Sequence, residues 1–274
     1  MVDHVLDPID GSDEAFAALV YSFVTFPDAT HTTLHVISPT KARYEGPGHA
    51  ENWLSKAERE ADEMHDTARE MAERRAITLG ETATTRGEPA KEIIKYADEN
   101  DVDHISIGSK GRSNLDTVFI GSVAKTVTRR SPTSVTVVRD VDGDGGTPPE
   151  RVLVAVDGSE RGYDALEFAL REFSADVTTA LHVIDPADVF ATALDADTVL
   201  ETARQRADTC DATIRTASER GDPARTIAEY VAEQDIDHLV AGRSGRSGWP
   251  RILLGSVAES LVHRAPVPVT VVSS

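Results

Sequence analysis

The sequence predicts an α/β protein of two tandem, doubly wound domains, each a five-stranded parallel sheet of order 3-2-1-4-5. Three observations predict this. The chain has 274 residues, long for one domain of about 100–150 residues and comfortable for two. It also nearly repeats itself: His4-Val5-Leu6-Asp7-Pro8-Ile9-Asp10-Gly11-Ser12 matches Arg151-Val152-Leu153-Val154-Ala155-Val156-Asp157-Gly158-Ser159 at a spacing of 147. Within each copy, short valine-rich runs alternate with helical patterns, which implies right-handed crossovers and a parallel sheet covered on both faces.

The repeat continues. Leu34-His35-Val36-Ile37 matches Leu181-His182-Val183-Ile184 at the same spacing. Gly87-Glu88-Pro89-Ala90 then matches Gly221-Asp222-Pro223-Ala224, and Asp101-Val102-Asp103-His104-Ile105 matches Asp235-Ile236-Asp237-His238-Leu239, both at a spacing of 134. The 13-residue difference is a longer insert in the first copy, between Pro39 and Gly87. Residues 141–149 are dense in glycine, aspartate and proline, a poor core and a good linker. Domains at 1–140 and 150–274 are expected on either side.

The second copy shows the elements in order. Val152 to Val156 is almost wholly apolar, as a strand buried on both faces should be. Asp157-Gly158-Ser159 ends it, and Ser159 suits the N-cap of a helix carrying Ala165, Leu166, Phe168, Ala169 and Leu170. A strand over 178–184, a helix over 196–207 and a weaker strand over 212–217 follow. Pro223 opens a helix through Ile227, Ala228 and Val231. Residues 239–241 form the fourth strand, Ser256 to His263 a helix stopped by Ala265-Pro266, and 267–272 the fifth strand. The first copy reads the same way and ends in Val135-Thr136-Val137-Val138. Asp7 is the exception, a charge inside the first strand. It must reach solvent or a partner, or that strand begins later.

Composition excludes several functions. Asp plus Glu number 47 against 28 Lys plus Arg, a formal net charge of -19. So acidic a surface repels phosphate backbones and anionic lipids, so no nucleic-acid or membrane partner is expected. Of the 28 basic residues only 6 are lysine. Excess carboxylate with scarce lysine points to a halophile, whose proteins hold water and salt cations on acidic surfaces. The one cysteine, Cys210, excludes an intrachain disulfide and a cysteine-built zinc site. With no basic leader and no run of about 18 apolar residues, a cytoplasmic location is expected.

In an open doubly wound sheet, ligands bind beyond the carboxyl ends of the strands where strand order reverses. After the fourth strand the first copy reads Gly108-Ser109-Lys110-Gly111, nine residues, then Gly121-Ser122. The second reads Gly242-Arg243-Ser244-Gly245, nine residues, then Gly255-Ser256. Glycines there let backbone approach a ligand. Gly-Ser opening a helix aims free N–H groups outward, a phosphate cradle. Lys110 and Arg112, or Arg243, Arg246 and Arg251, would add positive charge. Turns and helix caps without a ligand are the competing explanation, weakened by the matched second copy. Residues Gly121 to Thr126 lack the Walker A glycine spacing, and no Gly-x-Gly-x-x-Gly follows either first strand, so a dinucleotide fold is disfavoured.

The Gly-x-x-Gly-x9-Gly-Ser spacing, with Asp-Gly-Ser after the first strand and Leu-His-Val-Ile in the second, resembles the universal stress protein (UspA) family over nearly the whole chain. The resemblance implies an adenine nucleotide alpha hydrolase-like fold and ATP, ADP or AMP as ligand, with or without Mg2+. In ATP-binding members the aspartate ending strand one contacts the adenosine end. The valine after the strand-two histidine meets adenine through its backbone, and the glycine motif with its serine holds ribose and phosphates. This points to Asp10, Val36, Gly108, Gly111, Gly121 and Ser122 in the first copy. In the second it points to Asp157, Val183, Gly242, Gly245, Gly255 and Ser256. Arg251, in the second nine-residue loop, stands where the first has Thr117 preceded by Asp116, so tighter binding is expected in the second copy.

His35, His104, His182 and His238 are expected as satisfied structural residues, and His4, His31, His49, His65 and His263 at the surface. Trp249 either packs over a ligand or caps its loop. The charge run from Lys56 to Arg75 suits the solvated face of a long helix. Val135–Val138 and Val269–Val272 are candidate edge strands that pair with each other in an internal pseudo-dimer; a homodimer is left open. No catalytic nucleophile–base pair and no metal site are visible. A nucleotide-binding regulatory protein is the reading, with a slow ATPase and a nucleotide-free interaction module as its rivals.

Overall fold

The computed structural model describes residues 1–39, 50–110, 120–139, 146–186, 196–243 and 254–273. The first copy contributes β1 (His4–Ile9), α1 (Asp13–Thr25), β2 (Thr30–Ile37), α2 (Ala50–Glu73), β3 (Leu79–Arg86), α3 (Pro89–Glu99), β4 (His104–Gly108), α4 (Ser122–Arg130) and β5 (Ser134–Val138). The second contributes β6 (Arg151–Ala155), α5 (Glu160–Glu172), β7 (Val177–Ile184), α6 (Ala196–Thr209), β8 (Arg215–Arg220), α7 (Pro223–Glu233), β9 (His238–Gly242), α8 (Ser256–Arg264) and β10 (Val269–Val272).

The ten strands of the described residues form one sheet of order β3-β2-β1-β4-β5-β10-β9-β6-β7-β8. Each half has the expected order 3-2-1-4-5. Pairing is parallel within each half and antiparallel only where β5 meets β10, with Val135, Thr136 and Val137 opposite Val271, Thr270 and Val269. The expected strand pairing of the two copies is therefore present. Apolar packing follows it: one buried cluster takes Leu6, Ile105 and Val135 from the first copy and Leu153, Leu239 and Val271 from the second.

The recurring Asp-x-Asp-His motif builds this seam. Asp101 and Asp235 both have φ 48°, a left-handed turn closing α3 and α7. Asp103 accepts the Asp3 and His4 N–H groups at 3.0 and 2.9 Å, and Asp237 those of Glu150 and Arg151 at 3.1 and 2.8 Å, so each anchors the first strand of its copy. His104 and His238 are fully buried and point into a hydrogen-bonded chain. His104 Nε2 pairs with Thr136 Oγ1 at 2.7 Å, Thr136 with Thr270 at 2.6 Å, and Thr270 with His238 Nε2 at 2.7 Å. His238 Nδ1 ends on the Tyr21 hydroxyl at 2.6 Å. Burial pushes both imidazoles down to about 3 and the Tyr21 phenol up, so the chain is neutral.

Asp7 lies inside β1, buried, and its carboxylate meets His31 Nδ1 at 2.9 Å. The strand thus starts where the apolar run starts, and the charge finds a partner. Burial raises the Asp7 pKa against the opposing pull of His31. This corrects the expectation of surface positions for His31 and for His65, which is buried between the Thr33 and Thr84 hydroxyls at 2.9 and 3.0 Å. The Lys56–Arg75 run is helical as far as Glu73, with Ala61, Met64, Ala68 and Ala72 as its buried stripe. The third strand of the second copy starts at Arg215 rather than 212. The Cys210 and Ala212 N–H groups turn back to the Ala207 carbonyl and Asp211 takes φ 53°, so the end of α6 consumes those residues.

Candidate functional site

The carboxyl ends of β2, β1 and β4 lie side by side in one half, and those of β7, β6 and β9 in the other. Strand order reverses at β1 and at β6. Asp10 follows β1, and its Oδ1 accepts the Ser12 N–H at 3.0 Å and the Ser12 hydroxyl at 2.5 Å. Ser12 Oγ in turn accepts the Ala15 N–H at 3.2 Å and caps α1. Gly11 permits this with φ 80°, which a side chain would resist. Asp157-Gly158-Ser159 repeats it, with 3.0 and 2.5 Å to Asp157 Oδ1, 3.2 Å from the Gly162 N–H and φ 83° at Gly158. The motif thus holds a carboxylate at the sheet edge while capping a helix. Asp10 is half-buried and Asp157 exposed.

Val36 and Val183 are half-buried near the ends of β2 and β7, paired with Thr85 and Glu219 on the outermost strands. The histidine before each ties that strand to the end of the first. His35 Nδ1 donates to the Ile9 carbonyl and His182 Nδ1 to the Val156 carbonyl, both at 2.9 Å. These two are satisfied structural residues, and they position the peptide that leads into the aspartate.

Gly108 closes β4 and Gly242 closes β9. A Cβ on Gly108 would lie 2.8 Å from the Glu14 carbonyl oxygen, and one on Gly242 2.7 Å from that of Arg161. Close packing of α1 and α5 thus requires these glycines whether or not a ligand approaches. Beyond them, Ser109 N–H bonds the Val138 carbonyl at 2.8 Å and the Ser109 carbonyl accepts the Gly121 N–H at 2.7 Å. Arg243 does the same with Val272 and Gly255, at 3.1 and 2.7 Å. Each strand end is therefore fastened directly to the start of the last helix of its copy. Gly121 and Gly255 are the N-caps of α4 and α8 and supply no side-chain oxygen. Ser122 and Ser256 begin the helices, exposed. The first-turn N–H groups face outward without a side-chain cap, with the positive end of the dipole behind them.

Gly111, Gly245 and Arg251 lie outside the described residues, as do Arg112, Arg246 and Trp249. Arg243, expected to add charge to the cradle, turns away. Its side chain is buried, 6% exposed, and its guanidinium donates to the Arg129 and Thr133 carbonyls at 3.4 and 3.3 Å. The Arg129 carbonyl, in the last turn of α4, carries partial negative charge and draws it there. Sequence reasoning also missed a cleft of about 510 Å3 lined by Ile184, Ala196, Ser218, Glu219 and Arg220, beyond the ends of β7 and β8. A signal was present: Ser-Glu-Arg ends β8 with polar residues where a covered strand would be apolar. Among the described residues no cluster of His, Cys, Asp and Glu could hold a metal, and no helix is long and apolar enough to cross a membrane.

Fold and edge together define a tandem α/β protein with a glycine-capped helix N-terminus at the carboxyl edge of each half. Comparison with known proteins gives the same organisation. The sequence pattern of the universal stress protein family matches residues 1–139 and again 149–273, and the chain belongs to that family. A universal stress protein of Mycolicibacterium smegmatis is 27% identical over 288 residues, covering 98% of this chain and 96% of its own. Another, of Methanocaldococcus jannaschii, is 31% identical over 139 residues, covering 45% of this chain and 81% of its own. The crystal structure of a universal stress protein from Archaeoglobus fulgidus superposes with a TM-score of 0.74 at 25% identity, covering 98% of each chain. The fold is adenine nucleotide alpha hydrolase-like.

Proposed function

We propose that this chain binds an adenine nucleotide at the carboxyl edge of each half and serves stress-response regulation. The observation that supports it is an edge built twice. Each edge has an aspartate fixed by its Asx turn, a valine peptide on the strand next to the outermost one, and an uncapped helix N-terminus held to the end of the fourth strand. Phosphates belong at Gly121-Ser122 and Gly255-Ser256, where free N–H groups meet anions. Asp10 and Asp157 reach ribose hydroxyls as acceptors, and the Val36 and Val183 backbones take the adenine edge. Gly108 and Gly242 keep the strand ends low enough to leave room. Gly111, Gly245 and Arg251 complete the phosphate end, ATP bringing Mg2+ where a carboxylate faces it. The units divide at the 141–149 linker, and the acidic, lysine-poor surface fits the cytoplasm of a halophile.

The test is to identify what purified protein releases on heating, by mass spectrometry at high salt, and to titrate ATP, ADP and AMP by calorimetry. An adenine nucleotide in the extract or a saturable heat is expected. Absence of both overturns the reading in favour of a nucleotide-free interaction module. Phosphate release above background that falls on substituting Asp10 or Asp157 would make it a slow ATPase. Gly255→Val is expected to cost more ATP binding than Gly121→Val, because Arg251 serves only the second copy; equal losses refute that asymmetry.

A further inference from the structure

Arg243 and Arg139 cross the seam in opposite directions. The Arg243 backbone belongs to the base of the second-copy edge, where its N–H and carbonyl hold Val272 and Gly255. Its guanidinium ends on the Arg129 carbonyl, in the last turn of α4, and on the Thr133 carbonyl just beyond that helix. The amino end of that same helix is the Gly121-Ser122 edge of the first copy. Arg139 follows Val138, whose carbonyl holds the Ser109 N–H at the base of the first-copy edge. Its guanidinium donates to the His263 and Val262 carbonyls at 3.0 and 3.1 Å, at the carboxyl end of α8. The amino end of α8 is the Gly255-Ser256 edge. The base of each edge thus grips the far end of the helix that opens the other.

Both arginines are buried, 6 and 7% exposed. Among the described residues Arg243 Nε has no hydrogen-bond partner, and burial lowers the Arg243 pKa. Holding a guanidinium there costs desolvation, which a cap that merely ended a helix could avoid. Lys125 and Glu259, at equivalent places in α4 and α8, add a direct link at 3.2 Å, half-exposed and therefore weak.

We propose that Arg243 and Arg139 couple the two nucleotide sites, so that filling one raises the affinity of the other; this rests on the nucleotide reading above. Ordering one edge fixes the arginine at its base, and the fixed arginine orders the helix that opens the second edge. The second ligand then finds part of its ordering cost already met. Linkage makes the effect equal in both directions.

Calorimetric titration of the full chain with ATP at high salt measures the affinity of the second-copy site with the first site open and, in Gly121→Val, blocked. The ratio is expected to be about 5-fold or more. It is expected to fall toward one when Arg243→Met or Arg139→Met is added. Each ratio is taken within one background, so changes in intrinsic affinity cancel. A ratio of one, a ratio that survives both arginine substitutions, or a single bound equivalent overturns the coupling and leaves nucleotide binding standing. No ATP binding at all overturns both. Should the arginine variants not fold, amide exchange decides. ATP added to Gly121→Val is expected to slow exchange at Arg129, Arg130 and Ser131, and unchanged exchange there overturns the proposal.

Discussion

Tyr21 and Phe168 stand at equivalent places in α1 and α5, 147 residues apart, and one hydroxyl separates them. Tyr21 stacks on His238 with ring centroids 5.9 Å apart and bonds its Nδ1. Phe168 stacks on His104 at the same 5.9 Å and offers nothing, so His104 Nδ1 is buried without a partner among the described residues. The proton order follows. If Tyr21 donates, every hydroxyl donates toward His104, and His104 keeps an unpaired Nδ1–H. If Tyr21 accepts, the order reverses, and an unpaired lone pair is left instead. Either way one polar atom is orphaned, at a cost of about 1–3 kcal/mol. Phe168→Tyr is expected to raise unfolding free energy by about 1 kcal/mol, and Tyr21→Phe to lower it by about 1–3 kcal/mol by orphaning a second nitrogen. Urea denaturation at neutral pH checks both; equal stability of all three chains would show that the chain of hydroxyls carries no net energy.

At the scale of elements, β5 and β10 join the copies, and the buried histidines make that join sensitive to acid. In the unfolded chain His104 and His238 take up protons near pH 6.5; in the fold they resist until about 3. Below 6.5 the unfolded state therefore binds more protons, and stability falls as pH falls. His65 and His263, also lowered by burial, act in the same sense. The slope from the seam pair approaches about 2.7 kcal/mol per pH unit between 6 and 5, two protons at 1.36 each. Urea midpoints from pH 7.5 to 5 measure it, and a flat profile removes the histidines from the account. The paired strands were legible because Val135–Val138 and Val269–Val272 are short, valine-rich and last in each copy. The hydroxyl chain was not: threonine in a strand has a good packing reason to be there, and only the antiparallel register sets Thr136 opposite Thr270. The candidate edge was legible as motifs, since Asp-Gly-Ser and Gly-Ser carry their backbone geometry with them. Arg243 was misassigned because spacing gives the place of a Cα and not the direction of a long side chain. The first glycines have a packing reason, contact with α1 and α5, that no local pattern reveals.

Over the whole molecule, one continuous sheet puts both acidic halves on a single body. The formal charge of -19 is thus concentrated rather than spread over two separable beads. Among the described residues most ion pairs are local and exposed, such as Lys91–Glu88 and Arg225–Glu229, and each contributes about 0–1 kcal/mol. Arg206 is a fuller case, bridging Glu160 and Glu167 from α6 to α5 at 2.5 and 2.9 Å, yet it too is partly open to water. Salt therefore removes little attraction. What it removes in quantity is repulsion among unpaired carboxylates, which disfavours the compact state more than the expanded one. The Debye length shrinks from about 10 Å at 0.1 M to about 3 Å at 1 M. Stability is therefore expected to rise with KCl across that range and then to level off, since screening saturates once carboxylates no longer sense their neighbours. Urea midpoints at fixed pH measure this, with NaCl as a second salt that screening treats alike. A midpoint that is flat, or that falls with either salt, would mean that the acidic surface is balanced by pairing after all, and the halophilic reading would fall with it.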